Sequence, residues 1–292
     1  MEQERVAPNR EGCYPGRVRI LIATATAGAG HLQAANALEE AWTAWRPQDA
    51  VKKVDVLDHT PKMYKKAYSE GYAKLVAKAP ELYAAFFEKT DDPGRARRSG
   101  SLRRRVGRTA APGFVRLTET FHPDIVLAPH FLPLEILGGE PPGKGPLLVS
   151  VVTDFEAHAF WMDPAVGLTC VAAPETKARL VARGVPAGTV AVTGIPVSPR
   201  FSAAPAKAPA RKALGLRDDM PVLLVLAGGF GMGPVGAVVD GLGRAPGPLQ
   251  LVVVCGRNEE LRRSVAALEH PHPTRVLGFT REIPSLMAAA DL

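Results

Sequence analysis

The sequence predicts a two-lobed α/β protein with parallel sheets, and three observations carry that prediction. At 292 residues the chain exceeds what one hydrophobic core usually organises. Short apolar runs alternate with helix-like segments, which is the pattern of a parallel sheet covered on both faces. One such run in each half leads into a glycine-bearing turn and then a helix, at residues 26–31 and 227–233.

Taken in order, residues 1–17 form a polar leader without a continuous apolar stretch, so no secretory signal is expected. Residues 18–23 (VRILIA) read as a buried strand. From His31 to Trp45, Leu32, Ala35, Leu38, Ala41, Trp42 and Trp45 recur at helical spacing, and Pro47 marks the stop. Residues 51–57 complete a βαβ unit. A helical pattern follows over 63–90, with Tyr64, Tyr68, Tyr72, Leu75, Leu82, Tyr83, Phe86 and Phe87 near one or two faces. That stripe reads as core, the alternative being a greasy surface for an acyl chain or a bilayer.

Further strands are expected over 125–128, 147–153, 169–172 and 190–193, which places the first lobe at 18–198. The Ala/Pro-rich stretch after it lacks periodicity and is assigned as a linker over 199–213. In the second lobe, 214–292, strands are expected at 222–227, 251–255 and 276–279, with helices after the glycine turn, over 258–268 and from 283. A doubly wound lobe normally has more than three strands, so this lobe is expected to be partial.

A hydrophobic fraction of 46% with 22% charged residues excludes a disordered or fibrous chain. Cys13, Cys170 and Cys255 lack the spacing of a zinc site or a disulfide framework, so three free thiols in a reducing cytosol are expected. The longest uncharged run, 222–239, is broken by Gly228, Gly229, Gly231, Gly233, Pro234 and Gly236, so membrane contact is expected to be peripheral. A net charge of +7 favours anionic partners.

Four segments could carry chemistry. The turn with Gly28, Gly30 and His31 precedes a helix, where backbone amides and the helix dipole meet an anion. His31 reads equally as a helix-start residue or as a catalytic one. A dinucleotide fingerprint would need a third glycine where Gln33 stands; Asp55 and Asp58 lie near the distance of a ribose-binding acid, which keeps a nicotinamide oxidoreductase as a minor alternative. Asp154 follows an apolar strand and His158 lies four residues on, so an acid able to accept a hydroxyl proton and a proton-shuttling histidine face the ligand side of the sheet. Capping of a turn is the competing role for Asp154.

The glycine turn with Gly228, Gly229, Gly231 and Gly233 lets amides approach phosphate oxygens, with a plain tight turn as the alternative. Arg95, Arg97, Arg98, Arg103, Arg104, Arg105 and Arg108 form a basic tract without an acid between Asp92 and Glu119. An anionic membrane surface suits it. Nucleic acid suits it poorly, because no aromatics are interleaved for stacking. A solvated loop is the third reading of the tract.

In this order the segments resemble the monogalactosyldiacylglycerol synthase and processive diacylglycerol glucosyltransferase family, relatives of the peptidoglycan lipid-intermediate N-acetylglucosaminyltransferase. The resemblance rests on Gly28-Ala29-Gly30-His31, on Thr153-Asp154 with His158 and Trp161, and on Thr193-Gly194-Ile195-Pro196 with Pro199-Arg200-Phe201. It rests also on Gly228-Gly229-Phe230-Gly231-Met232-Gly233, Cys255-Gly256-Arg257-Asn258 and Gly278-Phe279.

It implies a GT-B fold, an N-terminal lobe receiving diacylglycerol, and a C-terminal lobe holding a UDP-hexose. Inverting transfer without a cofactor or essential metal, at the inner face of the cytoplasmic membrane, is part of the same implication. His31, Asp154 and His158 would be catalytic, with the base left open between His31 and Asp154. Gly228, Gly229, Gly231, Met232, Arg257, Phe279 and Thr280 would bind the donor, and Gly28, Gly30 and Trp161 would line the acceptor side. Ala29 stands where relatives generally carry glycine. Beyond Leu292 the family continues into a glycine-rich turn and a glutamate for the diphosphate and ribose, so a non-catalytic lipid-binding remnant is a second expectation.

Overall fold

The computed structural model describes residues 16–26, 29–68, 71, 79–139, 141 and 143–292. The chain divides into two compact units, Met1–Ser198 and Pro199–Leu292.

In the first unit the order is β1 (Arg19–Thr24), α1 (Ala29–Trp45), β2 (Ala50–Asp55), α2 (Pro80–Thr90), α3 (Pro93–Ala110), α4 (Pro112–Phe121) and β3 (Ile125–Ala128). Then come α5 (Phe131–Leu137), β4 (Leu147–Val151), β5 (Val166–Val171), α6 (Pro174–Ala182) and β6 (Val190–Val192). Residues 62–68 are also helical. The strands form one parallel sheet ordered β2-β1-β3-β4-β5-β6. Alternate residues of β1 point to opposite faces, and both faces are covered. Leu21 and Ala23 join Val126, Leu134, Trp161 and Val171 on one side, while Ile20 and Ile22 join Ala35, Ile125, Val149 and Val151 on the other. This two-sided burial is why β1 and β3 read as continuous apolar runs, whereas the edge strand β2 carries Lys52 and Lys53.

The basic tract is a helix, α3, started by Asp92, whose carboxylate accepts the Arg95 amide at 2.5 Å. Its buried side holds Ala96 and Gly107; a methyl on Gly107 would sit 2.9 Å from Ile136 Cγ1. Of the aromatic stripe, Tyr64 and Tyr68 stack at 6.2 Å and pack against the core, whereas Leu82 is exposed. Tyr72 and Leu75 lie outside the described residues, and so do the side chains of Tyr83 and Phe86.

The second unit comprises α7 (Pro199–Ser202), α8 (Lys207–Leu214), β7 (Val222–Leu226), α9 (Val235–Gly243), β8 (Gln250–Val254), α10 (Glu259–Ala266), β9 (Thr274–Leu277) and α11 (Ile283–Ala289). Its parallel sheet runs β7-β8-β9. The stretch read as a linker departs from expectation: it is helical, and Ala210 and Leu214 pack with Val252, Leu286 and Ala289 into this unit's core. Arg211, buried, donates to the Ala289 carbonyl at 2.9 Å and pairs with Asp291. The Ala/Pro composition hid one buried helix face only two turns long.

Candidate functional site

Strand order decides what can meet in the first unit. Beta1, β3 and β4 lie side by side, and the chain reverses direction of growth between β1 and β3, so their carboxyl ends form the crevice where open α/β sheets bind ligands. His31 enters it from the first turn of α1, Pro129 and His130 follow β3, and Thr153 and Asp154 follow β4. His31 Nδ1 lies 2.8 Å from the Pro129 carbonyl oxygen and 2.9 Å from Thr153 Oγ1. A carbonyl oxygen cannot donate, so Nδ1 carries a proton, and in the neutral ring Nε2 then holds the lone pair. That is the tautomer a general base needs.

His130 is 2% exposed, and its ring meets that of His31 edge-on with centroids 4.7 Å apart. Its Nδ1 accepts the Leu132 amide at 3.0 Å, capping α5. Burial, and then the nearby His31, hold its pKa well below the usual histidine value, so it stays neutral. Residue-by-residue reading missed His130, although it follows a strand end as Asp154 does.

Asp154 is exposed and accepts the Trp161 indole N–H at 3.2 Å; Trp161 itself is buried in the core, with its ring 6.4 Å from that of His31. The indole thus holds one carboxylate oxygen and leaves the carboxylate at the crevice rim. His158 occupies different surroundings. Its Nδ1 accepts the Phe160 amide at 3.1 Å, and its Nε2 lies 3.3 Å from the Phe87 carbonyl and 3.1 Å from Thr90 Oγ1. Both nitrogens are engaged, and burial lowers its pKa against the raising effect of Asp91 and the Phe87 carbonyl. Its observed contacts are those of a neutral capping residue.

Asp91 anchors the same region, accepting Ala159 N–H at 2.7 Å and Arg183 Nη2 at 2.6 Å. Burial pushes its pKa up, but the Arg183 and Ala159 hydrogen bonds outweigh that and the net displacement is downward. Asp55 accepts the Thr26 amide at 3.3 Å and the Leu57 amide at 2.9 Å, and Asp58 pairs with Lys65. Both acids considered for a dinucleotide ribose are therefore engaged in local structure. Gly30 is exposed in the first turn of α1, and Gly28 lies outside the described residues.

The arginine tract splits by helix face. Arg103 pairs with Glu135 at 3.6 Å and lies 4.1 Å over the Phe160 ring, and Arg104 pairs with Asp163 at 3.4 Å. Arg97, Arg98, Arg105 and Arg108 are exposed beside Leu102 (64% exposed) and Val106 (55%). Arg95 is exposed and reaches the Lys89 carbonyl at 3.3 Å. Among the described residues no helix is long and apolar enough to cross a membrane.

In the second unit the turn after β7 has left-handed backbone at Gly228, Gly231 and Gly233 (φ +70°, +65° and +99°). The Gly231 and Met232 amides close the turn on the Gly228 and Ala227 carbonyls, at 3.3 and 3.0 Å. Alpha9 begins directly after it, so a helix N-terminus adjoins the turn. Gly229 accepts the Arg257 amide at 3.1 Å. The Arg257 guanidinium lies 4.9 Å over the exposed Phe279 ring, and Thr280 Oγ1 accepts the Glu282 amide at 3.1 Å. The structure thus gathers Gly228, Gly229, Gly231, Met232 and Arg257 at adjoining strand ends, with Phe279 against Arg257. Cys170 and Cys255 are free thiols; Cys13 lies outside the described residues.

Comparison with known proteins places these features. The family described as Monogalactosyldiacylglycerol (MGDG) synthase matches residues 31–197. The chain is 29% identical over 289 residues to a chloroplastic monogalactosyldiacylglycerol synthase of Spinacia oleracea, covering 94% of this chain and 54% of that protein. It is 28% identical over 285 residues to a processive diacylglycerol beta-glucosyltransferase of Bacillus pumilus, covering 94% and 70%. The chain spans about half the length of the plant relatives it matches over most of its residues. Among solved structures, Anabaena Alr3699/HepE in complex with UDP-glucose aligns with a TM-score of 0.53 at 15% identity, over 94% of this chain and 72% of that one. A glycosyltransferase of Rickettsia africae aligns at 0.50 and 10% identity, over 95% and 72%. These likenesses identify the fold as GT-B, with two Rossmann-like units built on parallel sheets.

Proposed function

The chain belongs to the monogalactosyldiacylglycerol synthase family, and from that premise we propose that it transfers a hexose from a UDP-sugar to diacylglycerol or a related lipid, with inversion. The observation that carries the reading is the His31 ring, whose Nδ1–H is held by the Pro129 carbonyl so that Nε2 is available as a base. In the reaction the lipid's primary hydroxyl oxygen attacks the anomeric carbon from the face opposite UDP. The bond from that carbon to the β-phosphate oxygen breaks, the hydroxyl proton goes to His31 Nε2, and UDP leaves with the electron pair. Asp154, steadied by the Trp161 indole, accepts a hydrogen bond from the incoming hydroxyl and orients it.

On the donor side, the turn from Gly228 to Gly233 supplies a side-chain-free approach, and the start of α9 stabilises the charge developing on the diphosphate. Arg257 adds a cation there, and the backbone around Phe279 and Thr280 receives the uracil. The group transfer needs no cofactor and no metal, because these fixed dipoles and Arg257 take the leaving-group charge. The exposed face of α3 supports peripheral docking on the inner face of an anionic membrane, with Leu102 and Val106 entering the headgroup region between arginines.

The test is incubation with radiolabelled UDP-galactose or UDP-glucose and vesicles with or without diacylglycerol. Labelled glycolipid that requires diacylglycerol is expected. Label released only as free hexose, or none transferred with either donor, would overturn the proposal.

A further inference from the structure

We infer that Asn258 is a positioning residue for the nucleotide-sugar donor, clamping the glycine turn at 228–233 to the head of α10; the inference rests on the donor reading above. Its two amide branches work in opposite directions. Oδ1 accepts the Leu261 N–H at 2.9 Å and caps α10, while Nδ2 donates to the Gly231 carbonyl at 2.9 Å. Gly231 sits at the middle of the turn, with its own N–H closing onto Gly228. One side chain therefore joins a helix start to the carbonyl whose orientation sets the next peptide plane, that of Gly231 and Met232.

Packing leaves no slack for another arrangement. A methyl on Gly231 would fall 2.2 Å from the Cys255 carbonyl oxygen and 2.5 Å from Asn258 Cβ. A methyl on Gly256 would fall 2.3 Å from the Gly228 carbonyl oxygen. Both glycines have positive φ, +65° and +60°, so the turns after β7 and β8 interlock through bare backbone. Contact this close fixes the distance between the turns but not the tilt of individual peptides. The Arg257 amide, donating to the Gly229 carbonyl at 3.1 Å, and the Asn258 amide group set that tilt from two sides.

Chemistry explains the residue type. Aspartate and serine both cap helices, but aspartate offers no donor to the Gly231 carbonyl and serine is too short to reach it while capping. Asparagine has a donor and an acceptor on separate branches at the right length. Because its two amide branches are taken up by the Leu261 N–H and the Gly231 carbonyl, Asn258 acts on the donor through the turn.

The test compares the full chain with Asn258→Ser and Asn258→Asp, both of which keep the α10 cap. Hydrogen exchange read by NMR is expected to accelerate at least tenfold at the Gly231 and Met232 amides in both variants, with α10 and β8 amides unchanged. Titration with UDP is expected to show about tenfold weaker binding. Unchanged exchange at 231 and 232 overturns the clamp, and faster exchange with unchanged UDP affinity overturns the positioning role. A wild-type chain that shows no UDP binding overturns the donor reading itself, and the positioning role falls with it.

Discussion

Replacing His31 with alanine separates a catalytic role from a structural one, because the two losses differ in size. The ring makes a hydrogen bond to the Pro129 carbonyl at 2.8 Å, contacts Thr153 at 2.9 Å and is half-buried. Losing one such bond costs about 1 kcal/mol and the partial packing about as much again, so His31→Ala lowers stability by no more than about 2 kcal/mol. For a chain of this size that is a fall in Tm of roughly 4–8 °C. Loss of a general base raises the barrier by about 3–5 kcal/mol, a rate decrease of roughly 10²–10⁴. The assay is the initial rate of glycolipid formation at 25 °C beside a thermal melt of each protein. A variant within tenfold of wild type would refute the base assignment. So would a rate loss that appears only where the variant has melted.

Three further outcomes follow from the same geometry. Converting Arg97, Arg98, Arg105 and Arg108 together to alanine should weaken binding to anionic vesicles at least a hundredfold, at roughly 1 kcal/mol per cation. Arg103→Ala should leave vesicle sedimentation unchanged, because that side chain pairs inward with Glu135, and equal losses would contradict the split. Asp91→Ala should cost about 2–3 kcal/mol in chemical denaturation, since it strands Arg183 and the Ala159 amide. The folded pKa of Asp91 is depressed, so its contribution is present above the unfolded carboxylate pKa of about 4 and is lost as pH falls through the lower folded value. An Asp91→Asn melt that lost stability at the same acid pH as wild type would count against this. Gly231→Ala should destabilise by at least about 2 kcal/mol and abolish UDP binding, because its methyl would lie 2.2 Å from a carbonyl oxygen; a wild-type melt would contradict the interlock.

Strands β1 and β3 were legible because both are apolar on both faces: residues 125–128 coincide with β3, and 18–23 is offset from β1 by one residue. Helix α3 was not, since a helix with arginines on its inner as well as its outer side shows no apolar stripe. Arg103 and Arg104 there are satisfied by Glu135 and Asp163, residues remote in sequence that no periodicity reveals. At the site, the motif containing His31 was readable from its place after a strand. The Pro129 carbonyl that sets its tautomer was not, because a backbone acceptor has no signature in residue type and β3 becomes a neighbour of β1 only through the sheet order. His158 shows the converse: a histidine four residues after a strand-end acid suggested a proton shuttle, and its nitrogens are both engaged by the protein itself.

The most direct measurement is the anomeric configuration of the product, read by proton NMR on lipid made from an α-linked UDP-hexose and diacylglycerol. Attack by the lipid hydroxyl opposite the departing UDP, with its proton taken by His31, predicts a β-linked hexosyl lipid. An α-linked product, or none from the wild-type chain with either UDP-hexose, would contradict the account.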